Sequence, residues 1–175
     1  MGSRQKKDVE TEQDKLPGEA STIAFSPDGK LLATGSCDGT LTMYDVANGE
    51  IVARAHAAKG WGQQAFAFSP DGKFLATGDH ARTVRLWKLP KLSLVHEMRH
   101  TRKYIVASAF SPDGKLLASS DGEQTIQIWD TKTAEQVGIA RVAGRCLAFS
   151  PDGSMLAVGC IGDAKIYEVA ALIGA

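Results

Sequence analysis

Aromatic side chains are few: three Trp, three Tyr and six Phe make up 7% of the 175 residues. They do not interleave with basic residues, which argues against single-stranded nucleic acid as the main ligand. Charge of one sign is missing too. Twenty Lys and Arg balance twenty Asp and Glu, so no global field draws the chain to a polyanion or an anionic membrane. No run approaches the roughly 18 apolar residues of a membrane span. Residues 1–19 mix both charge signs and contain no apolar segment of a secretory signal, so they read as a flexible polar leader. Cysteine is limited to Cys37, Cys146 and Cys160, with no CxxC pair and no Cys/His cluster at zinc spacing. These residues read as small buried thiols of a reducing compartment, which implies a cytoplasmic location. Gly-x-Ser-x-Gly elbows, Walker-type loops and dinucleotide fingerprints are absent. No enzyme, no catalytic residue and no cofactor is therefore expected. His96 and His100 lie four apart and would share a strand face, but no third ligand accompanies them, so no metal site is expected.

What the chain does have is a repeat. Phe-Ser-Pro-Asp-Gly occurs four times, at Phe25–Gly29, Phe68–Gly72, Phe110–Gly114 and Phe149–Gly153, spaced by 43, 42 and 39 residues. Proline presets φ for the first central position of a tight turn, aspartate can bond nearby backbone, and glycine accepts positive φ. Each copy should therefore turn one strand back on the next. An apolar segment follows each turn: Leu31–Ala33, Phe74–Ala76, Leu116–Ala118 and Met155–Ala157. A second run, rich in β-branched and aromatic residues, comes next: Thr40–Tyr44, Thr83–Trp87, Thr125–Trp129 and Ala164–Tyr167. A third run precedes the next copy in three periods, at Ile51–His56, Leu92–Arg99 and Gln136–Val142. Each period thus holds about four short strands, and no helical stretch is expected.

A four-strand period of about 40–45 residues ending in Trp-Asp resembles the WD40 repeat. Trp129-Asp130 matches outright, while Tyr44-Asp45, Trp87-Lys88 and Tyr167-Glu168 are degraded versions. The resemblance covers residues 20–175 and implies an all-β propeller of four blades, at about 20–62, 63–104, 105–143 and 144–175. It also implies a buried tetrad of His, Ser/Thr, Asp and Trp in a complete blade. The matching hydroxyl positions are Thr34, Thr77 and Ser119, with Val158 in the fourth repeat. The aspartate column matches only Asp38, with Ala81 and Glu123 in its place further on, and His56 and His100 are the histidine candidates. No repeat is expected to complete the tetrad.

The resemblance further implies partner contacts along one rim. Carried onto this chain, the larger rim side chains are Gln64, His80, Tyr104 and Arg145, with Trp61 beside them between two glycines. Aromatic residues and arginine are enriched at interaction hot spots. The implied function is a non-catalytic scaffold for a protein or peptide partner. One alternative is nucleic acid or an acidic partner held by Arg82, Arg85, Lys88, Lys91, Arg99, Arg102 and Lys103, seven cations facing the single acid Glu97. A second is a sensor or regulatory domain of a larger enzyme. Four repeats cannot make seven blades, so an incomplete ring is expected. It would be finished by further blades of a longer chain, by a second copy, or by closure at four. The fourth repeat offers only Ala170–Ala175 as a short outer strand.

Overall fold

The computed structural model describes residues 20–57, 63–100 and 103–173 of the chain, the side chains of residues 63 and 64 excepted. The leader lies outside them. Blade 1 is built from β1 (Ala20–Phe25), β2 (Leu31–Ser36), β3 (Thr40–Asp45) and β4 (Ile51–His56). Blade 2 follows with β5 (Gln63–Phe68), β6 (Phe74–Asp79), β7 (Thr83–Lys88) and β8 (Ser93–Arg99). Blade 3 has β9 (Ala107–Phe110), β10 (Leu116–Ser120), β11 (Ile126–Asp130) and β12 (Gln136–Ala140). Blade 4 has only β13 (Cys146–Phe149), β14 (Met155–Cys160) and β15 (Asp163–Glu168), and ends in the short helix α1 (Val169–Ile173). Every sheet is an antiparallel meander with strands paired in chain order.

The repeated pentapeptide makes the same turn four times. In the first, Ser26 Oγ donates to Asp28 Oδ1 at 2.7 Å and accepts from the Leu31 amide at 2.9 Å. The Gly29 amide closes the turn on the Ser26 carbonyl at φ +70°, where a side chain would be strained. Ser69, Ser111 and Ser150 repeat both side-chain bonds. Each serine ties the turn to its aspartate and to the start of the following strand, so the hairpin register is set locally.

Apolar faces then stack the blades. Ala33, Leu41 and Met43 of blade 1 pack with Phe68, Leu75 and Trp87 of blade 2. Ala76, Val84 and Leu86 meet Phe110, Leu117 and Trp129 of blade 3. Ala118, Ile126 and Ile128 meet Phe149, Leu156 and Tyr167 of blade 4. The inner strands touch in the order β1, β5, β9, β13, and the ring does not close.

Two expectations need correction. The end of the fourth repeat is helical rather than a short outer strand. Val169 and Leu172 of α1 bury themselves in the core between blades 3 and 4. The helix sits so tightly on β12 that a Cβ on Gly138 would stand 2.5 Å from the Leu172 carbonyl oxygen. An Ala-Ala-Leu-Ile run that caps a core edge with Val169 and Leu172, three residues apart, satisfies helical rather than strand spacing. The cysteines also differ from expectation, since Cys37 and Cys146 are exposed and Cys160 is half-buried. Cys37 falls in the turn between β2 and β3.

Candidate interaction site

One end of the blades carries the β2–β3, β6–β7 and β10–β11 turns together with the segments that cross between blades. The crossings are tied to those turns by backbone bonds, from Ala57 N to Gly39 O, His100 N to Arg82 O and Val106 N to Ser120 O. Two further bonds, from Ile105 N to Asp79 O and from Arg145 N to Gly159 O, set His80, Tyr104 and Arg145 at this same end. His80 leaves the β6–β7 turn of blade 2, and Tyr104 lies in the crossing from blade 2 to blade 3. Their rings stack with centroids 4.7 Å apart and planes 19° apart. Tyr104 stays 37% exposed, so the pair offers a flat aromatic surface to solvent. Next to it Tyr104, Val106, Gly122, Glu123 and Arg145 line a cleft of about 260 Å³. Lys103 Nζ pairs with Glu123 Oε2 at 2.9 Å, which raises the lysine pKa through that bond and its charge. Arg145 is exposed and makes no ion pair among the described residues. Trp61 and the side chain of Gln64 lie outside the described residues.

Below the rim the polar staples are richer than the sequence columns suggest. Trp129 Nε1 donates to Ser119 Oγ at 2.8 Å, and Trp87 Nε1 to Thr77 Oγ1 at 3.0 Å. A buried indole N–H needs such an acceptor. Blade 3 places an acid beside a histidine and bonds its Trp to a serine, but neither ring nitrogen of His100 has a hydrogen-bond partner among the described residues, so the four side chains are not joined as a tetrad. There the acid is Asp121, two positions before Glu123, and it is fully buried. Its carboxylate accepts from the amides of Glu123, Gln124 and Thr125 and from Thr125 Oγ1. Burial opposes ionisation of Asp121, but those donors hold its carboxyl below the ordinary range. His100 Nδ1 stands 4.0 Å from Asp121 Oδ2, and burial pushes the imidazole pKa down against that charge.

In blade 2 the same turn is anchored by Asp79, two positions before Ala81, which accepts from the Thr83 amide at 2.9 Å. Its partner is an arginine rather than a histidine. Arg85 Nη1 reaches Asp79 Oδ2 at 2.5 Å and also donates to the Ala57 carbonyl of the crossing from blade 1. His56 is exposed at the end of β4 and stays in blade 1, opposite Thr40. Blade 1 solves the turn from the other side, with Asp38 accepting from Thr40 N at 2.8 Å and bonding Ser36 Oγ.

The basic stretch divides. Arg85 is taken up by Asp79 and, through Nε at 3.1 Å, by Glu97, and Lys103 is taken up by Glu123. Arg82 and Arg99 lie at the rim end of blade 2, where Thr83 pairs with Arg99 across the strands. Lys88 and Lys91 lie at the opposite end, beside the β7–β8 turn. Arg102 lies outside the described residues. His96 and His100 do not share a site: His96 Nε2 is 3.1 Å from the Lys132 carbonyl oxygen of blade 3, while His100 is buried beside Asp121. Among the described residues no group of three His, Cys, Asp or Glu could hold a metal, and no helix is long and apolar enough to cross a membrane.

Four stacked antiparallel blades with Trp-to-hydroxyl staples define a β-propeller repeat protein. The family described as WD domain, G-beta repeat, matches residues 12–45, 52–88, 92–130 and 140–167, and the chain belongs to this WD40 family. Among curated proteins it is similar to a WD repeat-containing protein 20 homolog of Caenorhabditis elegans, 47% identical over 47 residues. That match covers 27% of this chain and 6% of the relative.

Proposed function

We propose that this chain is a non-catalytic WD40 scaffold that captures a protein or peptide partner on the rim of blades 2 to 4, in the cytoplasm. The observation that carries the reading is the stack of His80 on Tyr104, two side chains from neighbouring blade elements, beside the cleft that Arg145 borders. A preformed aromatic surface costs little side-chain entropy on binding, and an unpaired arginine beside it suits a carboxylate or backbone carbonyl. The division of the basic stretch favours this reading over a polyanion site.

The test is capture from native extract on the immobilised chain, followed by affinity measurement with the captured partner. Tyr104→Ala and Arg145→Ala should each weaken that binding by ~10-fold, a hot-spot loss of about 1.4 kcal/mol. The melting temperature should stay within about 2 °C, as for surface substitutions. Binding that survives both changes, or that disappears only because the chain unfolds, overturns the assignment of the rim.

A further inference from the structure

Arginine and lysine are sorted between the two ends of the blades. Among the described residues the exposed arginines Arg82, Arg99, Arg141 and Arg145 stand at the rim end, and only Arg54 lies away from it, midway along β4. The exposed lysines, apart from Lys103 and Lys165, stand at the opposite end, where Lys30, Lys73 and Lys115 each pair with the aspartate of their own turn. A guanidinium offers a planar fork of donors that matches a carboxylate, which an ammonium does not. At the rim Lys103 is neutralised by Glu123, while Arg82 and Arg145 make no ion pair among the described residues.

Arg82 adds a second observation. It sits at φ +65° immediately before β7, in the left-handed region that costs a non-glycine residue free energy. The residue immediately before β3 is Gly39 at φ +88°, and the one before β15 is Gly162 at φ +78°. Gly39 O accepts the Ala57 amide of its crossing as Arg82 O accepts the His100 amide, so a glycine does the same backbone work. Leu92 and Ala134, the other non-glycine residues with positive φ among those described, pack against the blade cores. Arg82 is exposed, and no such packing holds it. An arginine kept at a strained, exposed position points to a role for its side chain. Two residues before it in the same turn is His80, whose ring stacks on Tyr104, and Tyr104 shares a cleft with Arg145. The stack therefore links two uncommitted arginines, one through the β6–β7 turn and one through the cleft.

We infer that the rim takes an acidic peptide segment of a partner protein, with a planar group of that segment on the His80–Tyr104 stack and its Asp or Glu carboxylates received by Arg82 and Arg145. The inference rests on the rim as the binding surface and adds the chemistry of the partner. Arg82 is then a specificity-determining residue, which explains why arginine stands where a glycine would fold as well. A nucleic acid fits this surface less well. Its regular phosphates call for an unbroken basic track, whereas here arginines alternate with Glu123 and the aromatic pair.

Retention of a random-sequence peptide library on the immobilised full chain at about 0.15 M salt, read by mass spectrometry, tests this. Asp and Glu should be enriched several-fold in the retained pool over the input. Arg82→Gly should remove most of that enrichment and yet melt no lower than the unaltered chain, because glycine relieves the left-handed backbone. An arginine with a merely structural role would not separate the two readouts. Arg82→Glu combined with Arg145→Glu should turn the enrichment towards Lys and Arg. Circular dichroism checks that each variant is folded. Acidic enrichment that survives Arg82→Gly or the double reversal overturns the inference. A retained pool without acidic preference that is lost with Tyr104→Ala also overturns it, but leaves the rim as the binding surface. Retention indifferent to both Tyr104→Ala and Arg145→Ala, or no retention at all, removes the rim reading and the inference with it. A single-stranded DNA of mixed sequence that binds more tightly than the retained peptides overturns the inference in favour of nucleic acid.

Discussion

Blades 3 and 4 share a turn, a core face and a junction, yet their polar interiors differ. Blade 3 has neighbours on both sides and holds Trp129 on Ser119, with Asp121 and His100 beneath the rim. Blade 4 has one neighbour. Val158 stands where Ser119 does, Tyr167 where Trp129 does, and α1 replaces the outer strand. Blades 1 and 2 contrast in the same way, with a half-buried Tyr44 in the first and a Trp87–Thr77 bond in the second. A tryptophan sealed between two blades has no water for its N–H and must be given a hydroxyl. Tyr44, on a side of blade 1 that no described blade covers, can turn its hydroxyl to solvent, whereas Tyr167 packs on blade 3 and is half-buried there. Among the described residues the Trp-to-hydroxyl staple appears in blades 2 and 3, where the acceptor position is Thr77 or Ser119, and it is missing in blade 4, where that position is Val158.

The sharpest way to break this comparison is to delete the large aromatic in each blade. Trp129→Ala removes a buried ring and leaves Ser119 Oγ without its donor, and it should cost ~3–5 kcal/mol. Tyr167→Ala should cost less than half as much, about 1–2 kcal/mol, because its ring is only partly buried. Urea denaturation followed by circular dichroism measures both. Equal losses would mean that neither the deeper burial of Trp129 nor its bond to Ser119 carries extra energetic weight.

A smaller effect separates the blades by pH. The His100 imidazole sits below its ordinary value of 6.5 because it is buried, with Asp121 opposing. As pH falls below that value, the unfolded chain takes up the proton before the folded chain does. Stability present above pH 6.5 is thus lost progressively as the pH falls towards the folded pKa. The urea midpoint should drop between pH 7.5 and 5.5, and His100→Asn should flatten that drop. Blade 4 has no buried histidine, so a drop that survives His100→Asn would place the sensitivity elsewhere.

Much of the fold could be read from the residues because the pentapeptide acts locally. Each serine and aspartate closes its own turn, so four copies announce four hairpins without any tertiary information. The polar interior was less legible. Matching columns placed the turn acid at Ala81 and Glu123, whereas Asp79 and Asp121 do the same work from two residues earlier. One amide, that of Thr40, Thr83 or Thr125, can be satisfied from either side of its turn, and a column cannot show which side is used. The partner of Asp79 was hidden for a related reason. Arg85 looked like one cation in a basic run, and its burial beneath the Ala57 carbonyl appears only when blade 1 is in place. The terminal helix was missed because strand periodicity in three earlier repeats argued for a fourth outer strand, while the space beside Gly138 accepts only a close backbone.

The smallest expected difference lies in the turns themselves. In blades 1 to 3 the aspartate is followed two residues later by Lys30, Lys73 or Lys115, whose ammonium groups lie 3.8, 3.2 and 3.4 Å from Asp28, Asp71 and Asp113. In blade 4 that position is Ser154, and Asp152 accepts from Ser150 Oγ, from the Ser154 amide and from Ser154 Oγ. All four carboxyls are held below the ordinary 3.8, first through their serine bond, and Asp152 reaches about 2. The depressed carboxyls contribute stability above the unfolded value, and it is lost as pH falls through the folded one. Exposed ion pairs are screened by salt, whereas short neutral-donor hydrogen bonds are not. In an NMR titration of the aspartate side-chain carbons, raising salt to about 1 M should therefore move Asp28, Asp71 and Asp113 upward, with the Debye length near 3 Å. Asp152 should stay where it is. Replacing Ser154 by Lys should make Asp152 respond to salt as the other three do, and a uniform response of all four in the unaltered chain would show that the lysines contribute nothing to these turns.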